Sequence, residues 1–263
     1  GSVDKVPLVA DLMATKWTYE ALMVHQFKHN RFEKHFYDLE KTSSQADFMV
    51  SLKIPKLRQA LQQTASLYED QSLSEQKQGS LTLLRNEILE IRDQAPQFPL
   101  DDLNELTPQS FNEGTSEKIR NYLDELTGYY ADLLSSSERK IERMINYMLR
   151  EDARLFQALK DDFYNESIAD LVKKRFEKNR LVVYENRIVQ QYHPIYQDPE
   201  PAGLLGLRTH FFAPEKSLLG LRTDTFWFNI IIVWCMTIIL YVTLYFEILK
   251  RIVLYLENLR IRK

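Results

Sequence analysis

His25, His29 and Glu33 are spaced four residues apart, and on a continuous helix that spacing sets three metal-ligating side chains within ~80° of arc. Imidazole and carboxylate in this pattern are zinc chemistry, yet no cysteine or fourth histidine stands nearby, and the same pattern serves a solvated helix face. The reading is that no metal is bound. The carboxylate pairs Asp101-Asp102 and Asp161-Asp162 raise acid–base catalysis, but neighbours in sequence point away from each other on a helix or strand, so both read as solvated charge. His193 and His210 stand alone and are expected to pack or hydrogen-bond locally. The sequence has no GxxxxGK[ST] phosphate loop, GxSxG elbow, HExxH or cysteine pair, which leaves no catalytic, cofactor-binding or metal-ligating residue to name. This chain is not expected to be an enzyme by itself.

Glu20 poses a different chemical problem. It stands in Trp17-Thr18-Tyr19-Glu20-Ala21-Leu22-Met23-Val24, a stretch apolar on most helical faces with Thr15 as its N-cap. A carboxylate in such surroundings needs a hydrogen-bond donor or a cation. The spacing alone serves a helix packed on or in a membrane and an ordinary core helix equally well.

The element that organises the rest is Phe226 to Phe246, FWFNIIIVWCMTIILYVTLYF, which carries no charge. As a helix it is roughly 31 Å long, close to the ~30 Å hydrocarbon layer of a bilayer. Asp224 precedes it, and Lys250, Arg251, Arg260, Arg262 and Lys263 follow. By the positive-inside rule the tail is expected to be cytoplasmic, in an inner (plasma) membrane, and the residues before about 224 external or periplasmic. The whole chain has a net charge of −3, and the five basic and three acidic residues from Asp224 onward leave the outer portion near −5. An acidic portion without a basic stripe argues against nucleic acid. Seven glycines in 263 residues favour helices over a sandwich or barrel. The single cysteine, Cys235, lies inside the apolar run, so the outer portion has no disulfide. The start of the chain is not a secretory signal, and Gly1-Ser2 reads as an expression remnant. The expectation is therefore the C-terminal piece of a larger membrane protein.

Between these ends the pattern predicts helices. The Trp17 helix is followed by a polar aromatic stretch, helical to about Lys41, then a loop over Thr42 to Gln45. Stripes at Leu57, Leu61, Thr64, Ala65, Tyr68 and at Leu81, Leu84, Ile88, Ile91 predict an antiparallel hairpin across a polar Gln71 to Ser80 linker. Pro96, Pro99 and Pro108 break the chain around an acidic linker from Leu100 to Leu106. From Thr115, apolar residues recur through Ile119, Tyr122, Leu126 and Leu133 to Met148, predicting a helix of about 35 residues bent at Ser135 to Ser137. An intramolecular bundle is favoured over a coiled-coil dimer, since long a/d repetition is missing. Ala153 to Leu159 and Ser167 to Phe176 predict two more helices, and Leu181 to Tyr184 either a strand or, as favoured here, a helix running to Gln191. His193-Pro194 and Asp198 to Pro201 read as extended or turn structure. Leu-Leu-Gly-Leu-Arg-Thr occurs at Leu204 to Thr209 and at Leu218 to Thr223, an interfacial segment rather than a solenoid. The fold class is mainly α, an external helical bundle with long helices followed by one C-terminal transmembrane helix. Its divisions are 1–45 (membrane-proximal helix and connector), 46–197 (bundle insert), 198–224 (juxtamembrane loop), 225–249 (membrane helix) and 250–263 (basic tail).

Thr15-Lys16-Trp17-Thr18-Tyr19-Glu20-Ala21-Leu22-Met23-Val24-His25-Gln26-Phe27 resembles the segment after the fifth membrane helix of G-type (White-like) ATP-binding cassette exporters, where an aromatic-x-aromatic/Glu-Ala-Leu pattern ends in Glu/Gln-Phe. Asp224 to Arg262 is similar to the last membrane helix of these ABC-2-type permeases, basic tail included. The helical stretch from Asp47 to Gln197 departs from typical eukaryotic members and resembles the expanded loops of a bacterial branch. The resemblance implies an outer exit gate for an amphipathic or lipid-like substrate, with Trp17, Tyr19, Glu20 and Phe27 as its membrane-proximal residues. It also implies partners: the remaining permease helices, an ATPase unit using ATP and Mg, and a second copy in a homodimer. Membrane lipid follows from the apolar helix itself, and the bundle, large and acidic without a catalytic motif, reads as a lid or as a docking surface for an envelope protein. The alternative is a single-pass membrane protein whose external helical domain is a sensor or an envelope assembly scaffold.

Overall fold

The computed structural model describes residues 8–69, 75–100, 106–107, 110–199, 209–218, 221–248 and 250. Asp101-Asp102, the first Leu-Leu-Gly-Leu-Arg-Thr copy up to Arg208, and the tail beyond Lys250 lie outside them. In chain order the elements are α1 (Leu8–Asp11), α2 (Ala14–Lys28), a 3-10 turn (Glu33–His35), α3 (Tyr37–Phe48), a π turn (Met49–Lys53) and α4 (Ile54–Glu69). They continue with α5 (Glu75–Gln94), α6 (Glu113–Phe163), α7 (Glu166–Lys173), β1 (Leu181–Tyr184), β2 (Arg187–Gln190) and a 3-10 turn (Pro194–Tyr196). Last come β3 (Glu215–Leu218), β4 (Leu221–Asp224) and α8 (Thr225–Tyr245). The protein is mainly α, with a bundle of long helices and one C-terminal helix long and apolar enough to cross a membrane. It forms two compact units, 27–197 and the combination of 1–26 with 198–263.

In unit 27–197 the predicted stripes form one core. Leu57 and Leu61 of α4, Leu84, Ile88 and Ile91 of α5, and Ile119, Leu123 and Leu126 of α6 are buried together. Burial of each large side chain contributes about 1.5–3 kcal/mol, which is what holds three amphipathic helices side by side. Lys53, at the start of α4, reaches Glu87 (2.8 Å) and Glu90 (3.1 Å) late in α5, so the two helices run antiparallel. Lys53 keeps its charge: burial works against it, but the two carboxylates outweigh burial and raise its pKa.

Several expectations are overturned here. No loop interrupts 42–45, because Thr42 turns its hydroxyl back to Asp38 O (2.8 Å) and helical backbone runs from Tyr37 through the π turn into α4. The π turn, Met49–Lys53, ends just before Pro55, which has no N–H to donate and crowds the carbonyls of the preceding turn. The Gln71 to Ser80 linker is helical from Glu75. The continuous part of α6, from Glu113 to a kink at Asp152, is close to the expected length of about 35 residues, but it passes straight through the serines. It breaks instead at Asp152 (φ −158°, ψ 98°), whose carboxylate accepts from Arg154 N–H and Leu155 N–H and so caps the 153–163 portion. Leu181 to Gln190 is a β-hairpin, not a helix: Glu185 and Asn186 adopt φ of 49° and 56°, the pair of left-handed residues that a two-residue turn requires.

In the unit formed by 1–26 and 198–263, β3 pairs antiparallel with β4, so the end of the expected juxtamembrane loop is a hairpin. Asp224 caps α8 by accepting from Phe226 N–H (2.9 Å). Beyond its first turn α8 is unpacked, with Trp234 65% and Leu244 71% exposed, the state of a helix whose surroundings are apolar.

Candidate functional site

The first turns of α2 and α8 and the β3–β4 hairpin converge on Glu20. The carboxylate is fully buried: Oε1 accepts from Phe212 N–H (3.1 Å), and Oε2 accepts from Lys216 Nζ (2.5 Å) and from Asn229 Nδ2 (3.0 Å). Asn229 Nδ2 also donates to Trp17 O (3.0 Å), so one amide ties α8 to both the backbone and a side chain of α2. Lys216 is itself 2% exposed and lies over the rings of Trp17 (4.9 Å) and Phe228 (5.7 Å). Burial lowers its pKa, and Glu20 opposes that shift. Asn229 Oδ1 is buried without a donor.

Trp17, Tyr19 and Glu20 thus meet in one unit. Trp17 is buried against Phe228 (6.3 Å between ring centres) and donates its indole N–H to Asp11 O (2.9 Å). Tyr19 is 43% exposed and stacks on Phe211 (6.5 Å). Phe27 packs in the other unit, against Tyr37 and Tyr196, with Lys173 Nζ 5.0 Å from its ring centre. His25 packs against Phe226 (4.5 Å between ring centres, rings tilted by 36°), and α2 ends at Lys28 because Asn30 Oδ1 accepts from the N–H groups of Phe32 and Glu33. The continuous helix that would array His25, His29 and Glu33 does not form, and among the described residues no group of three His, Cys, Asp or Glu side chains is placed to hold a metal.

No family model, curated protein or solved structure matches the chain. The chemistry of the site therefore rests on its own geometry. Both oxygens of Glu20 are occupied, and its one cation is held in the same contact, so the group serves as a clasp rather than a proton acceptor in a reaction. Breaking a buried pair from one side costs several kcal/mol, which makes this clasp a strong determinant of how α2, the hairpin and the start of α8 are arranged.

A second polar cluster, unforeseen in the sequence, lies inside unit 27–197. Glu33 and Glu40 meet Lys173, Tyr196 donates to Glu40, and Ser44 Oγ is 2.8 Å from His193 Nδ1. His193 therefore bonds across the chain, not locally. Burial, helped by the charges of Lys173 and Arg180, pushes its pKa down to about 4, so it is neutral at pH 7. The seven-residue spacing of Glu33 and Glu40 was a visible hint. Nothing in sequence linked them to Lys173 or Tyr196.

Proposed function

We propose that the chain is the external domain and last membrane helix of an ABC-2, G-type exporter permease, shaping the outer exit gate for an amphipathic or lipid-like substrate. The observation that supports it is the buried Glu20–Lys216–Asn229 clasp, which joins the apolar helix α2 to the entrance of the apolar helix α8. A gate needs such a joint, because movement of either helix is then felt by the other. The described α8 would cross the inner membrane with the tail on the cytoplasmic side, as the basic residues after it favour. ATP hydrolysis, Mg binding and five further membrane helices would belong to the rest of the transporter, acting as a homodimer.

The single-pass sensor or scaffold is the second reading, favoured by α8 being the one candidate span among the described residues. Two measurements separate the readings. Coding sequence upstream of Val3 should contain a Walker loop and five apolar spans; a signal anchor directly upstream would reject the exporter. In the intact protein, Glu20→Ala should reduce export while ATP hydrolysis persists, and normal export would reject the gate.

A further inference from the structure

Where α3, α7 and the 193–196 turn of unit 27–197 meet, buried acid outnumbers base. Glu33 is 1% exposed and its carboxyl group lies against that of Glu40. Lys173 Nζ is 2.9 Å from Glu40 Oε2 but 3.7 Å from Glu33 Oε1, too far for a hydrogen bond. The Tyr196 hydroxyl also donates to Glu40 Oε2. Glu40 is thus served twice, whereas Glu33 Oε1 is sealed from water without a hydrogen-bond partner. Phe27, Tyr37 and Tyr196 wall the space. Two ionised carboxylates in contact on one lysine would leave an uncompensated buried charge, and ionised carboxylates cannot donate to each other. A single proton resolves both difficulties.

We propose that the Glu33–Glu40 pair is a proton-binding site, which holds one proton between its carboxyls at neutral pH and thereby clasps α3, α7 and the 193–196 turn. Burial and the Glu40 charge raise the pKa of Glu33 to about 8; burial also acts on Glu40, but Lys173 and the hydrogen bonds it accepts outweigh it and hold that group low. Among the described residues, the remaining groups facing the pair do not supply a second cation. On α3 these are Asp47 and Ser44, at the end of α6 Tyr164, after α7 Arg175, before β1 Arg180, and on the following turn Tyr192 and neutral His193. Arg175 is engaged by Asp170 (3.1 Å), and Arg180 lies over the Tyr192 ring (5.4 Å).

The sign of the coupling follows. A carboxyl whose folded pKa lies above its unfolded value holds a proton that the unfolded chain releases, so its contribution is complete below pH 4.5 and is lost as pH rises through about 8. His193 titrates below this window, leaving Glu33 alone between about pH 6.5 and 8.

Infrared spectroscopy of the full chain in detergent tests the site. The wild type should show the carbonyl stretch of a protonated carboxyl at pH 7, disappearing with a midpoint near 8, and a folded Glu33→Gln variant should lack it. Absence of the band from the wild type at pH 7, or its persistence in Glu33→Gln, overturns the proposal. Hydrogen exchange on the wild type needs no variant: the opening constant of α7 and the 193–196 turn should rise about tenfold per pH unit between 6.5 and 7.5, beyond the intrinsic base catalysis of exchange. A flat opening constant across that interval would equally overturn it. Neither readout depends on transport, so the exporter reading and the proton site fail separately.

Discussion

Lys216→Met removes the cation of the Glu20 clasp and keeps most of its stem. Glu20 would remain fully buried, with only Phe212 N–H and Asn229 Nδ2 donating to it. Stripping one partner from a buried ion pair costs about 3–5 kcal/mol, because the other charge is left uncompensated in a poorly polarisable space. At 1.36 kcal/mol per factor of ten, opening of the β3–β4 hairpin should become on the order of 10²- to 10⁴-fold more frequent. Amide exchange at 215–218 and 221–224, measured on the full chain in detergent, reports that opening directly. Adding Glu20→Gln should recover much of the loss, since the amide carries no charge and its oxygen still accepts from Phe212 N–H, although its NH2 group can no longer accept from Asn229. If the single variant exchanges within threefold of wild type, or the double variant is no better than the single, the clasp does not hold the hairpin and the gate reading loses its support.

Leu126, fully buried at the centre of the three-stripe core, should cost about 2–5 kcal/mol of unit stability on Leu126→Ala, read by denaturant unfolding. Asp152→Ala removes the cap of the 153–163 helix and should cost about 1 kcal/mol, visible as faster exchange confined to that segment. In Glu33→Gln the contribution of neutral His193 is no longer offset by Glu33, so stability should fall as pH drops from about 6.5 towards 4; a curve that rises in that interval would contradict the burial of His193. For orientation, Lys140→Cys on the exposed side of α6, in a Cys235→Ser background, should react with an impermeant maleimide in intact cells, and Arg260→Cys should not; the reverse pattern would invert the topology.

What sequence made legible was whatever depends on periodicity within one helix. Leu57 and Leu61, Leu84 and Ile88, and Ile119 and Leu126 could be placed on buried faces because side chains three and four apart share a face. The need of Glu20 for a partner was equally legible from its apolar neighbours. Its partners were not: Lys216 lies 196 positions away, on a hairpin whose strands are too short for period-two alternation to register. The β1–β2 hairpin was missed for lack of glycine at the turn, although Val182-Val183 and Ile188-Val189 flanking Glu185-Asn186 carried a strand signal. The expected bend at the serines misjudged residues that satisfy themselves within the helix: Ser136 returns its hydroxyl to Leu133 O.

The π turn at Met49–Lys53 decides how this region responds to a change in chain length. Ile54 N–H bonds to Met49 O, five residues back, so one extra residue is accommodated where α3 passes into α4. Deleting one residue from 49–53 would let ordinary α-helical pairing resume with α4 close to its present phase, whereas inserting a further residue that the turn cannot absorb would rotate everything C-terminal on that rod by about 100° about its axis. With such an insertion Leu57 and Leu61 would leave the core, and Arg58, now bonded to Asp124 and Thr127, would swing away from α6. Side-chain substitutions in the same five positions preserve the phase. Loss of one residue should therefore be tolerated at 49–53 and a further insertion rejected, which makes the π turn the place where the rod takes up an odd residue.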